Sequence, residues 1–130
     1  MDIFWEIHSD LPREGPGDSI STARAYAAAS NLPPHPKILD IGCGPGMQTL
    51  DLAKLSGGEL IAIDFHQPFL DELVRRAKRA GVEAQIQARK LSMFEMDFEP
   101  EQFDLVWSEG AIYIMGFKLG FKTCRSFLKP

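Results

Sequence analysis

KILDIGCGPGMQTLDLAKL, residues 37–55, is the stretch that decides the fold of this 130-residue chain. The apolar residues Ile38, Leu39 and Ile41 predict a buried strand, which Asp40 interrupts. Glycines then alternate at positions 42, 44 and 46, and apolar residues recur at helical spacing from Met47 onward. The stretch therefore predicts a strand, a tight glycine turn and the start of a helix.

The glycine turn is suited to binding a ligand through its backbone. Glycine is needed where the backbone takes a positive φ or comes close to a ligand. A helix N-terminus behind such a turn offers free N–H groups and a partial positive charge, which suits an anionic or hydroxyl-rich ligand. The spacing is not that of the dinucleotide fingerprint G-x-G-x-x-G, because its third glycine would fall at Met47. The alternative is a turn with a structural role only.

Asp64 is a second carboxylate, after Asp40, whose distance from the glycines makes it a candidate for ligand binding. Gly57 and Gly58 end the first helix after the turn, and Glu59–Asp64 predicts a second strand. Asp64 lies 22 residues after Gly42, at the end of this strand. A carboxylate in that place can accept hydrogen bonds from the hydroxyl pair of a ribose. The alternative is an acid that only begins the next helix.

The run Asp40-x-Gly42-x-Gly44-x-Gly46, together with Asp64, resembles motif I and the ribose acid of the S-adenosylmethionine-dependent methyltransferases with a Rossmann-like sheet. Within this family the chain looks most like small-molecule enzymes of the ubiquinone and menaquinone biosynthesis type. The resemblance spans about Ser19 to Pro130. It implies an α/β fold with a parallel sheet of about four strands in the order 3-2-1-4 and helices on both faces. This would be the N-terminal part of the seven-stranded family fold, without the C-terminal strands.

The resemblance also implies a cofactor and a chemistry. S-adenosylmethionine would give its methyl group to a small-molecule acceptor by direct displacement. Asp40 would orient the methionine part of the cofactor and Asp64 would hold the ribose, whereas no catalytic residue is implied. In place of the usual Gly after the third strand stands Leu91. The cofactor-binding residues expected in this way are Asp40, Gly42, Cys43, Gly44, Gly46, Asp64, Ser92, Met93 and Ser108.

Candidates for substrate contact come from two other segments. Residues 1–18 are rich in proline and glycine and predict an N-terminal arm, or a lid over the site with Arg13 and Glu14 meeting the substrate. Residues 19–130 are expected to form the S-adenosylmethionine-binding domain. Glu109 and Tyr113 follow the predicted fourth strand, Phe103 to Ser108, and are further candidates.

The remaining elements are predicted from periodicity. A helix from about Ser19 to Ser30 is expected to bury Ile20, Ala23 and Ala27, and Tyr26 is expected in the core, with the cofactor entrance as the alternative. Ala84 to Ala88 predicts the third strand. The helix that Pro68 opens carries four basic residues, which are expected to form a solvated face: Arg75, Arg76, Lys78 and Arg79.

Composition narrows the class of protein. The net charge of −4 provides no general attraction for nucleic acid. The N-terminus has no signal-peptide pattern, no window could span a membrane, and the three histidines show no metal-ligand spacing. Cys43 and Cys124 are expected to be reduced thiols in a cytoplasmic protein.

Two other functions remain open from the sequence. A nicotinamide-dependent oxidoreductase shares the fold class and the ribose acid, although Met47 counts against it. A non-catalytic domain could keep the cofactor pocket and lack the acceptor site. The chain also looks short for the family, so the fourth strand would be a sheet edge, and self-association through Phe103–Ser108 is expected.

Overall fold

The computed structural model describes residues 19–29, 31–108 and 117–130. Parallel strands alternate with helices along most of this part of the chain. The elements are α1 (Ser19–Ala28), β1 (Lys37–Ile41), α2 (Met47–Ser56), β2 (Glu59–Asp64), α3 (Gln67–Ala80), β3 (Ile86–Lys90), β4 (Leu105–Trp107) and α4 (Phe117–Phe127).

The four strands form one parallel sheet in the order β3-β2-β1-β4. In the central strand, Ile38 pairs with Leu60 of β2 on one side and with Leu105 of β4 on the other. The predicted fold class and strand order are therefore confirmed. Because the strands are parallel, their carboxyl ends meet at one edge of the sheet.

The sheet is covered on both faces because its central strands alternate apolar side chains to each side. Ile38 contributes to a core with α2 and α3, whereas Leu39 and Ile41 contribute to a second core with Phe127 of α4. All three strand residues are completely buried. This double burial accounts for the nearly continuous apolar runs of β1 and β2.

The predicted buried face of α1 is wrong. Ile20 is 67% exposed and Ala27 is also exposed, whereas Thr22 is buried and Tyr26 packs against the first core. Thr22 and Tyr26 lie four residues apart on the side of α1 that faces α2. A tyrosine ring covers more apolar surface than alanines do, so the helix turns that side inward.

Two strand boundaries differ from the prediction. The third strand begins at Ile86 instead of Ala84, because Glu83–Gln85 forms a 3-10 turn in which the Gln85 N–H donates to the Val82 carbonyl at 3.0 Å. The fourth strand is limited to Leu105–Trp107.

Ahead of β4, Phe103 pairs with the end of the chain. Its N–H donates to the Phe127 carbonyl at 2.9 Å, and its carbonyl accepts from the Lys129 N–H at 2.8 Å. The outer side of the sheet edge is therefore occupied at Phe103.

The outer surface of α3 is less uniform than its sequence suggests. Arg75, Lys78 and Arg79 are exposed as expected, but the Arg76 side chain is only 15% exposed, so the expected solvated face does not include it. Among the helices that the structure describes, none combines the length and the apolar character that crossing a membrane requires.

Candidate functional site

The glycine turn and Asp64 meet at the carboxyl edge of the two central strands. Residue 42 directly follows β1, and Asp64 is the last residue of β2. The pairing of Ile41 with Ile63 brings these two positions next to each other. Ligands of open parallel sheets bind at this edge, so the fold places the predicted residues where a site is expected.

The turn requires glycine for two different reasons. Gly44 has a φ of 57° and Gly46 a φ of 100°, in the left-handed region that side chains disfavour. Gly46 also packs directly on α3, where a Cβ atom would collide with the Leu73 side chain. The first requirement allows the sharp turn of a backbone that is buried from residue 43 to residue 46, and the second fixes the turn against the neighbouring helix.

Asp64 is hydrogen-bonded to the turn itself. Its Oδ2 accepts the Gly44 N–H at 3.0 Å, and its Oδ1 accepts the His66 N–H at 3.0 Å. Burial raises the pKa of the Asp64 carboxyl above its ordinary value, although these backbone hydrogen bonds act in the opposite direction. The structure thus brings two of the predicted site residues, Gly44 and Asp64, into direct contact.

Asp40 lies beneath the turn and is completely buried. Its Oδ2 accepts the Thr49 hydroxyl at 2.6 Å and a longer bond from the Gln48 amide at 3.5 Å. Gln48 also donates to the Cys43 carbonyl at 2.7 Å. Asp40 therefore connects β1 to the first turn of α2, and its expected contact with the methionine part of a cofactor stays a prediction.

Gln48 and Thr49 were not expected to belong to the site. The sequence feature that could have identified them is a pair of adjacent polar residues in the first turn of a helix whose pattern otherwise predicts burial. Both are buried in the structure, and buried polar groups need partners, which here are Asp40 and the turn.

Cys43 turns its side chain into the first core and is 1% exposed. Burial raises the pKa of the Cys43 thiol well above its ordinary value, and the nearby carboxylates of Asp40 and Asp64 raise it further. A protonated, buried thiol is neither a nucleophile nor a ligand contact. Only the backbone of Cys43 can contribute to the site, and its N–H donates to the Ile63 carbonyl at 2.9 Å.

The other predicted cofactor residues follow β3 and β4 toward the same edge. The Leu91 N–H donates to the Asp64 carbonyl at 3.0 Å, which places Ser92 and Met93 beside the end of β2. The Ser92 hydroxyl accepts the Phe94 N–H at 3.1 Å and begins a 3-10 turn. Ser108 directly follows β4. The predicted substrate residues Arg13, Glu109 and Tyr113, and the arm of residues 1–18, lie outside the described residues.

Two aromatic residues near this edge were not predicted. Phe65 directly follows Asp64 and is 50% exposed, and Phe94 directly follows Met93 and is 61% exposed. Exposed aromatic rings next to a polar ligand site can cover the flat face of a base. In the sequence, both phenylalanines are marked only by their position, one residue after a predicted site residue.

Comparison with known proteins agrees with this geometry. A crystal structure of a SAM-dependent methyltransferase from Geobacter sulfurreducens, solved with S-adenosyl-L-homocysteine, superimposes with a TM-score of 0.85; it is 23% identical, and the match covers 100% of this chain and 52% of that one. At this identity the likeness establishes the fold.

Two curated relatives are similar in sequence over part of their length. Sterol 24-C-methyltransferase of Candida albicans is 28% identical over 98% of this chain and 38% of its own length. Demethylmenaquinone methyltransferase of Lactobacillus johnsonii is 31% identical over 52% of this chain and 29% of its own length. The chain thus spans well under half of the curated relatives that it matches.

The match to a protein family covers most of the chain. The family described as a methyltransferase domain matches residues 38–130, from the first buried residue of β1 to the last residue. The resemblance read from the glycine turn is therefore confirmed, and the chain belongs to the methyltransferase domain family.

Proposed function

We propose that this domain binds S-adenosylmethionine at the glycine turn and Asp64, and that it transfers the methyl group to a small-molecule acceptor. The observation that carries the proposal is the hydrogen bond between the Gly44 N–H and Asp64 Oδ2. It joins a backbone cradle and a ribose-accepting carboxylate at the binding edge of the sheet.

The residues present fit the cofactor. The Asp64 carboxylate has about four acceptor positions, and the backbone N–H groups of Gly44, His66 and Phe65 use up to three of them, so capacity remains for a ribose hydroxyl. The glycine backbone permits the methionine part to approach closely. The half-exposed ring of Phe65 is available for the adenine, with Ser92 and Met93 on the segment beside it. Ser108 extends the same edge toward the acceptor.

Bound S-adenosylmethionine supplies an electrophilic methyl group, which an acceptor nucleophile takes by direct displacement at carbon. This chain's own residues hold and orient the reactants, because positioning and exclusion of water are what such a reaction asks of the protein. Asp64 and the glycine turn fix the nucleoside end. Cys43 does not act as a nucleophile, since its thiol is buried and protonated.

For the acceptor, the names of the two curated relatives support a small apolar molecule, since a sterol and a demethylmenaquinone are both of that kind. We assign residues 19–130 to the cofactor-binding domain and residues 1–18 to an arm or lid. Arg13, Glu109 and Tyr113 remain the proposed substrate contacts.

The cellular setting and partners are part of the proposal. Cys43 and Cys124 are free thiols, which favours the reducing cytoplasm. A negative net charge favours a small-molecule partner over nucleic acid. Strand β4 lies at the edge of the sheet and is the proposed surface for self-association.

Calorimetry with S-adenosylmethionine, S-adenosylhomocysteine and NAD in parallel tests this function. We expect binding of the first two and none of NAD, with thermal stabilisation that follows affinity. Stronger binding of NAD would replace the methyltransferase by an oxidoreductase domain. Tight binding of S-adenosylhomocysteine, without methyl transfer to any sterol or quinone precursor tried, would favour a non-catalytic cofactor-binding domain.

A further inference from the structure

Arg76 of α3 reaches the glycine turn across 31 residues of sequence. Its Nη1 donates to the Pro45 carbonyl at 3.3 Å. Its Nε donates to Glu72 Oε1 at 2.9 Å, one turn earlier on the same helix. The two ends of the guanidinium are thus used in different directions, one toward α3 and one toward the turn.

The surroundings of Arg76 are those of a fixed side chain. Its side chain is 15% exposed and that of Glu72 is 22% exposed, whereas the side chain of Arg75 on the same helix is 62% exposed. A planar guanidinium held by a carboxylate is pre-organised to donate from its remaining N–H groups. The acceptor is the carbonyl of the peptide that joins Pro45 to Gly46, in the middle of the turn.

The turn is attached to the β2–α3 unit at three successive positions. The Gly44 N–H bonds to Asp64, the Pro45 carbonyl accepts from Arg76, and Gly46 packs against Leu73. Asp64 and α3 are themselves joined, because the His66 N–H that precedes the helix bonds to Asp64. Helix α3 therefore connects Asp64 to the glycine turn.

We infer that Arg76 is a positioning residue for the cofactor site: it fixes the Pro45–Gly46 peptide and thereby holds the turn in its binding conformation. This role rests on the proposed function, since the benefit is cofactor affinity. A loop that is already ordered in the free chain loses less entropy when the ligand binds, which raises affinity without any contact between Arg76 and the ligand.

The test compares Arg76→Met with Arg79→Met in the 130-residue chain. Methionine keeps most of the aliphatic volume and removes the donors, and Arg79 is an exposed arginine of the same helix. S-adenosylhomocysteine should bind Arg76→Met roughly fivefold or more weakly, because a charge-assisted bond that held the turn is missing, and should bind Arg79→Met as it binds the parent. Arg76→Lys, which keeps a charged donor, should recover part of the affinity.

A second measurement observes the turn without any ligand. The amide nitrogen of Gly46 senses hydrogen bonding at the Pro45 carbonyl, so its NMR signal should move in Arg76→Met and stay in place in Arg79→Met. Equal affinities of Arg76→Met and the parent, or an unmoved Gly46 signal, would overturn the positioning role while leaving the proposed function intact. A parent chain that does not bind S-adenosylhomocysteine would instead contradict the proposed function itself.

Discussion

Gly44 donates its backbone N–H to Asp64 Oδ2 at 3.0 Å, so the two parts of the proposed cofactor site are bonded directly to each other. The bond joins residues that lie 20 positions apart in the chain. It fixes the carboxylate against the turn with one oxygen, while the other oxygen accepts the His66 N–H. A change at either residue should therefore affect ligand affinity more than the fold.

Replacement of Asp64 should weaken cofactor binding in a graded way. Asp64→Ala removes the ribose acceptor and should lower the affinity for S-adenosylhomocysteine by about 1.5–3 kcal/mol, the range for hydrogen bonds to a charged group. Asp64→Asn keeps one carbonyl oxygen and should lose less. Titration calorimetry measures both, with thermal unfolding of the free variants as the check on folding. Unchanged affinity in both variants would locate the ribose elsewhere.

Cofactor affinity should depend on pH through Asp64. Burial raises the pKa of its carboxyl, and hydroxyl donors of a ribose would stabilise the ionised form, so binding lowers this pKa again. Affinity should therefore fall as the pH drops through the pKa of Asp64 in the free chain. Asp64→Asn should not show this dependence, and a parallel pH profile in parent and variant would count against the assignment.

The Asp64 carboxyl should make the free energy of unfolding of the ligand-free chain decrease as the pH rises, which is opposite to its effect on cofactor affinity. A carboxyl whose pKa is raised on folding contributes stability that is fully present below its unfolded pKa and is lost as the pH rises through its folded pKa. The pH dependence of the free energy of unfolding, taken as the difference between the parent and Asp64→Asn, isolates this contribution from those of other carboxylates.

Gly44 should be required for binding and Gly81 only for helix termination. Both have left-handed backbones, with φ of 57° and 75°, and a Cβ on Gly81 would meet nothing within 4 Å. Backbone strain should destabilise Gly44→Val and Gly81→Val by roughly 1–2 kcal/mol each, and Gly44→Val should lose further stability because Gly44 is buried whereas Gly81 is exposed. Only Gly44→Val should abolish binding of S-adenosylhomocysteine, measured under conditions in which both variants are folded. Equal binding by the two would make the turn purely structural.

The part of the fold that local pattern determines was predictable. The apolar runs around Asp40 and before Asp64 predicted the two central strands, and Gly57 predicted the end of α2, which it caps with a left-handed backbone. The position of Asp64 beside the glycine turn was predictable because its distance from the glycines reflects one complete strand–helix–strand unit.

What failed depends on contacts between distant parts of the chain. The buried face of α1 was mispredicted because spacing alone favoured Ile20 and its alanines, whereas packing on α2 selected Thr22 and Tyr26. Arg76 looked solvated because its acceptor, the Pro45 carbonyl, becomes a neighbour only when α3 packs beside the turn. Periodicity cannot contain that information.

The length of β4 also escaped prediction for a tertiary reason. Phe103 looked like part of the strand, but its N–H donates to the Phe127 carbonyl and the Asp104 N–H donates to the Lys37 carbonyl. The backbone bends at Asp104, so this alternation does not continue into β4. Lys37 and Leu39 face β4, and the pairing of Ile38 with Leu105 and of Asp40 with Trp107 turns the Leu105 and Trp107 N–H groups toward β1, so the next outward N–H belongs to Val106. Among the described residues, Leu105–Trp107 is the part of this edge strand that pairs with β1.

Strand β4 should make the 130-residue chain self-associate. Leu105, Val106 and Trp107 form the edge of the sheet in the described part of the chain, and a flat apolar edge is a template for pairing with another strand. Their side chains pack against the two cores, so association should proceed through backbone hydrogen bonds on the outer side. Sedimentation velocity over a wide range of concentrations should show concentration-dependent association of the parent chain.

Val106→Pro and Val106→Ala form the matched pair for this prediction. Both lose the valine side chain, but only proline removes the outward N–H, and it leaves the hydrogen bonds to β1 in place because the Val106 N–H faces away from that strand. Loss of one intermolecular hydrogen bond should weaken association roughly threefold to tenfold in Val106→Pro relative to Val106→Ala. A parent chain that stays monomeric and cooperatively folded at high concentration would show that this edge does not pair. Equal association of the two variants would place the contact on another surface.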